Sequence, residues 1–160
     1  MIKYILLTAI GLNAIWILYQ DLKFREVYLV SILSFIVLAG WQNWNTHLFW
    51  NTFILESLLN LLLMTVLITV SYIYLVGLKK KKSKELIGLG DIFLFVAFVV
   101  GYGIVEFYIQ LTLALFAALL IHLLIKGKYP KHQTVPLAGY MSVYFFLENL
   151  LDLINLPVHD

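Results

Sequence analysis

The chain has no cysteine. Disulfides, thiol chemistry and a cysteine-ligated zinc site are therefore excluded. Charge is also scarce. Asp, Glu, Lys and Arg make up 12% of the 160 residues, against 62% hydrophobic. A soluble domain carries roughly 25% charged residues and is about half apolar. With a mean hydropathy of +0.94, the composition has no room for a separate soluble domain. It fits a polytopic membrane protein, and 160 residues hold about six spans of roughly 20 residues each. The first apolar run follows Lys3 and imitates a signal peptide. No small-x-small cleavage site follows it, and it ends at an acidic and basic cluster, so it reads as a retained first span. No repeat relates residues 1–78 to residues 79–160.

Six apolar segments follow one another. They run from about Ile2 to Tyr19, Val27 to Trp44, Phe53 to Leu78, Asp91 to Gly103, Phe107 to Ile125 and Val135 to Leu151. Trp41 and Trp44 mark an interface at the far end of the second. The expected fold is an all-α polytopic membrane protein of about six transmembrane helices. Residues 1–160 are expected to form a single membrane-embedded domain.

Charge placement gives the orientation. The chain has eleven Lys and Arg. Lys23 and Arg25 lie in the first connection; Lys79, Lys80, Lys81, Lys82 and Lys84 lie in the third; Lys126, Lys128 and Lys131 lie in the fifth. Only Lys3 falls elsewhere. Alternate connections are basic and the others bare, so the basic ones are expected to be cytoplasmic and both termini exocytoplasmic. The Lys79–Lys84 run can also hold anionic lipid headgroups.

Two acids then fall on one side of the membrane. Asp21 ends the first apolar run, and Asp91 opens the fourth within Gly88-Leu89-Gly90-Asp91. Ionisable groups at membrane depth are costly and point to function. Each has a plainer reading. Asp91 can serve as a helix N-cap, and Asp21 can pair with Arg25 one helical turn on. Their shared side favours an aspartyl dyad instead. Glu56, Glu106, Glu148 and Asp152 fall near the opposite interface and read as solvated or snorkelling ends. His122 has no second His or Cys at ligand spacing, so neither a metal site nor a cofactor is expected. No nucleic-acid partner is expected.

The chemistry follows from the pair. Two carboxylates sharing a site cannot both ionise cheaply, so one keeps its proton. Gly88 and Gly90 are expected to let a substrate backbone approach Asp91 and to allow φ values closed to other residues. Pro136 is expected to break the helix start beside the cleft.

These residues carry a family resemblance. Asp21-Leu22-Lys23-Phe24-Arg25 before a long apolar span resembles the first aspartate motif of type IV prepilin peptidases. Gly88-Leu89-Gly90-Asp91 is similar to the second, the signature of GxGD intramembrane aspartyl proteases. Val135-Pro136-Leu137-Ala138 is similar to the late proline motif. The resemblance covers essentially the whole chain and keeps family order. It implies an aspartic endopeptidase with Asp21 and Asp91 catalytic, and with Gly88, Gly90, Arg25 and Pro136 shaping the cleft. The implied substrate is a prepilin-like or pseudopilin precursor, whose basic leader is cut at the cytoplasmic face of the cytoplasmic membrane. The chain departs from the family at Val27-Tyr28-Leu29, at Phe93 and at Leu137-Ala138-Gly139 of the late motif, which bears on substrate range. No N-terminal methyltransferase domain of the kind many members carry is expected. Two other readings stay open: a proton- or cation-coupled small transporter, and a noncatalytic membrane assembly subunit.

Overall fold

The computed structural model describes residues 2–45, 47, 49–74, 88–126 and 136–155. Six helices account for nearly all of them: α1 (Ile2–Phe24), α2 (Leu29–Trp44), α3 (Trp50–Ile73), α4 (Leu89–Gly101), α5 (Ile104–Lys126) and α6 (Leu137–Asn155). No strand occurs among the described residues. α1, α3, α5 and α6 are long and apolar enough to cross a membrane. α2 and α4 have 16 and 13 residues. At about 1.5 Å per residue they reach only about 24 and 20 Å, short of a hydrocarbon core of about 30 Å. The chain is thus an all-helical membrane protein, with four helices of spanning length and two shorter apolar ones.

α1, α2, α4 and α6 form an inner ring: α1 lies against α6 and α2, α2 against α4, and α4 against α6. α3 packs outside on α4, and α5 outside on α6. The outward faces of α3 and α5 are almost wholly apolar and exposed, from Leu58 and Leu62 to Phe116 and Leu124. Lipid solvates such a surface as well as a core would, so helix association rests on close packing and hydrogen bonds.

Small residues provide that packing. Along the α1–α6 seam, Gly139 meets Leu18, the Ser142 hydroxyl bonds the Ala14 carbonyl at 3.3 Å, and Gly11 receives the Phe146 ring. A Cβ on Gly11 would lie 2.7 Å from Phe146, and one on Gly101 of α4 would lie 2.7 Å from Phe145. Two consecutive phenylalanines of α6 therefore seat in glycine notches on different helices. Phe145 also stacks edgewise on Phe35 and Phe98, with centroids 5.3 and 5.5 Å away. Such pairs contribute about 0.5–1.5 kcal/mol each beyond burial.

Buried helix ends need partners, because lipid offers none. At the C-terminal end of α4, the side-chain amide of Asn60 donates to the Val99 and Tyr102 carbonyls at 3.2 and 3.0 Å. Asn43 donates to Val100 at 3.0 Å. Two asparagines from α3 and α2 thus close α4. The two-residue turn of Tyr102 and Gly103 then leads directly into α5, which starts at Ile104 rather than Phe107.

The helices alternate in direction. α1 ends where α2, α4 and α6 begin, and α3 and α5 run toward that same end. Connections 75–87 and 127–135 leave α3 and α5 and return into α4 and α6. Every Lys and Arg except Lys3 therefore belongs by sequence to this one end. The expected positions Leu78 and Val135 lie outside the described residues. α1 continues past Tyr19 to Phe24, since nothing in Gln20-Asp21-Leu22-Lys23 breaks a helix. Asp21 is consequently a helical residue, not a loop residue. α1 stops at Arg25, which has φ 58° and donates its amide to the Asp21 carbonyl at 3.2 Å. This is the left-handed C-terminal cap that glycine usually supplies.

Candidate functional site

The site forms at the head of α6. Pro136 occupies the position before the helix, is buried, and accepts the Tyr140 amide on its carbonyl at 3.2 Å. Its ring has no group to cap a helix. The second and third amides of α6 would normally be taken by an N-cap side chain. Here the Ala138 amide donates to Asp91 Oδ1 at 3.0 Å, and the Gly139 amide donates to Asp21 Oδ2 at 2.7 Å. Two aspartates from two other helices together do what one capping serine does elsewhere. Orphan amides and the positive end of the helix dipole both favour a carboxylate there.

Each aspartate is fixed from its own side. Asp21 is 7% exposed on the last turns of α1. Its neighbour Gln20, 1% exposed, accepts the Tyr28 amide at 2.9 Å and donates to the Ser31 hydroxyl at 3.2 Å. Gln20 therefore locks the start of α2 against the turn that bears Asp21. Asp91 is the third residue of α4. Gly88 takes the N-cap position, with φ −69° and ψ 146°, and accepts the Asp91 and Ile92 amides at 3.1 and 3.2 Å. Asp91 is thus not the N-cap of its own helix; it caps α6. Accepting from consecutive amides of one helix turn brings the two carboxylates side by side. Each commits one oxygen to α6, and Asp21 Oδ1 accepts no hydrogen bond among the described residues.

The glycines divide differently from the sequence expectation. A Cβ on Gly88 would lie 3.2 Å from Asp91 Oδ2, so this glycine borders the carboxylate. Gly90 does not. It is helical, and its Cβ would meet Val27 and Ile32 of the α2 region at 3.7 Å. No glycine among the described residues has positive φ. Gly90 is corrected to a packing position between α4 and α2. Gly139 has the tight approach instead: its Cβ would lie 3.1 Å from Leu18 Cα and 3.3 Å from Asp21 Cβ. Arg25 does not pair with Asp21 across a helical turn. No ion pair within 4.0 Å joins them, because the left-handed residue turns the chain away from the helix.

A second polar cluster lies at the far end. Glu148 accepts the Tyr102 hydroxyl at 2.8 Å and the Gln110 side-chain amide at 2.9 Å. The Tyr144 hydroxyl donates to Gln110 Oε1 at 2.7 Å. Gln42 bonds Asn149 beside it. Glu148 is therefore a bundle residue held by α4 and α5, not the solvated end expected. Glu106 and Asp152 are exposed, and Glu56 is half-buried, 3.9 Å from His47. Gln110 in the second turn of an apolar helix was the available signal. Among the described residues no three His, Cys, Asp or Glu side chains gather as a metal site.

No protein-family model matches the chain, and no curated protein or solved structure matches it either. What the fold and site define is a class: an all-helical membrane protein whose two aspartates meet at the head of one helix.

Proposed function

We propose that this chain is an aspartic endopeptidase of the cytoplasmic membrane that removes the leader of prepilin-like precursors. One observation carries the reading: Asp21 and Asp91, from separate helices, accept from consecutive amides of α6. A merely structural cap needs one such acid; two brought to adjacent donors make a dyad. The ionised member takes a proton from a water, and the protonated member hydrogen-bonds the scissile carbonyl as the oxyanion develops. The pair titrates as a unit, so the two roles belong to the dyad. The α6 amides fix one oxygen of each carboxylate, the Gly88 backbone borders the second oxygen of Asp91, and Asp21 Oδ1 is left for this work. Because the basic connections join helix ends on the aspartate side, the positive-inside rule favours a cytoplasmic active site. The substrate is a precursor with a short basic leader followed by an apolar helix.

The test uses purified protein in detergent with a synthetic precursor of that form, read by mass spectrometry. Cleavage between leader and helix is expected. No cleavage by inserted, folded protein overturns the reading.

The far-end cluster around Glu148 favours a second reading, a proton-coupled transporter. Carboxylates within membrane bundles often mark proton relays. That reading expects no proteolysis and proton-dependent flux in vesicles, which Glu148→Gln abolishes.

A further inference from the structure

Arg25 occupies a conformation that arginine disfavours. Its φ of 58° is the left-handed region, which a Cβ makes costly and glycine adopts freely. Strained residues of this kind persist where the surroundings hold them, and they gather at ligand sites. Among the described residues the side chain gains no hydrogen bond in return, and its Nε is buried with no partner. Nor does it form an ion pair within 4.0 Å among those residues. Yet its backbone amide donates to the Asp21 carbonyl at 3.2 Å, which places the residue beside the aspartate pair. A strained backbone and an orphaned donor thus coincide at the edge of the aspartate pair.

The donor set says what it takes. A guanidinium offers five N–H groups in a planar fork and accepts nothing, so its ligand is an oxygen acceptor. A peptide that is to be cut must be extended beside the dyad. Its carbonyls then lack helix partners in a place where water is scarce. A basic leader would repel Arg25 through its side chains but not through its main chain. We propose that Arg25 is the substrate-positioning residue of this site, holding backbone carbonyl oxygens of the segment that flanks the scissile bond. The proposal rests on the endopeptidase reading and adds to it the group that recognises the peptide main chain.

Arg25→Gly separates strain from function. It removes the fork and frees the backbone at once. Purified Arg25→Gly is expected to unfold at a higher temperature than wild type. Its KM for the synthetic precursor should rise about tenfold, as expected for one lost charge-assisted hydrogen bond, with kcat nearly unchanged. Arg25→Lys keeps the charge and the strain. It should show the raised KM without the gain in stability, because a point charge cannot replace the fork. Affinity for the same precursor, measured by fluorescence anisotropy in the Asp91→Asn background, should fall in parallel. Arg25→Gly with wild-type KM and affinity overturns the proposal, and so does Arg25→Gly less stable than wild type. A wild-type protein that neither binds nor cuts the precursor overturns the endopeptidase reading itself.

Discussion

Leu18 of α1 and Gly139 of α6 approach so closely that a Cβ on Gly139 would lie 3.1 Å from the Leu18 Cα and 3.0 Å from its Cδ1. The same Cβ would lie 3.3 Å from the Asp21 Cβ. Backbone cannot yield as a flexible side-chain tip can. This contact sets the distance between the Gly139 amide and the Asp21 carboxylate, and so couples helix packing to the geometry of the dyad.

Gly139→Ala should therefore lower precursor cleavage by at least about tenfold, since small misplacements of catalytic groups are expensive. It should also destabilise the protein by about 1–3 kcal/mol, the usual cost of overpacking. Gly90→Ala is the contrast. Its Cβ finds ordinary contacts at 3.7 Å, and alanine gains up to about 1 kcal/mol of helix propensity over glycine. Activity and stability should both be preserved. Detergent unfolding curves and initial rates for the pair check this. Equal losses in both variants would show that the α1–α6 contact does not set the site.

Asp21→Asn and Asp91→Asn should each reduce cleavage by about 10²–10⁴-fold, the range that acid–base catalysis supplies. Asparagine keeps a carbonyl oxygen that can accept from the Gly139 or Ala138 amide, so the cap on α6 survives. Both variants should remain inserted and unfold near the wild-type temperature. Near-wild-type cleavage by either one would remove the aspartyl mechanism.

Much of this site was legible in the sequence, for a physical reason. An acid at the end of an apolar run is costly, so Asp21 and Asp91 stand out without any structure, and the basic connections put them on one side. Their actual partners were not legible. The donors are backbone amides of Ala138 and Gly139, and a backbone group leaves no mark in residue type. Gly90 and Gly139 are the same letter; only the distance to another helix makes one tolerant and the other tight. Glu148 and Glu106 likewise look alike until Tyr102 and Gln110 are found around the former. The end of α1 was read too early because polar residues resemble a loop. What stops that helix is the left-handed backbone of Arg25, which no residue preference foretells.

Asn60→Leu tests how α4 is closed. Asn60 is fully buried and serves two carbonyls, those of Val99 and Tyr102. Leucine leaves both without that donor inside the bundle. Stability in detergent should fall by about 1–2 kcal/mol, the range for polar contacts between membrane helices. Cleavage should fall less than in Gly139→Ala, because the change is at the end of α4 away from Asp91. A variant as stable as wild type would show that Asn60 does not hold α3 to α4.

Orientation in the membrane is checked by labelling. Cysteines at Ser83 and Gln133 should react with an impermeant thiol reagent only from the cytoplasmic side, and a cysteine at Asn45 only from outside. The native chain has no cysteine, so no background labelling arises. Asn45 ends α2 at the end where Asn43 reaches Val100. Positions 83 and 133 belong to the connections that enter α4 and α6, whose first turns carry Asp91 and the Ala138 and Gly139 amides. Labelling thus reports which face of the membrane the aspartates see. Reaction of positions 83 and 45 from the same side would refute the alternation of helix directions. Reaction of positions 83 and 133 from outside alone would keep the fold and move the dyad to the other face, where a cytoplasmic leader could not reach it.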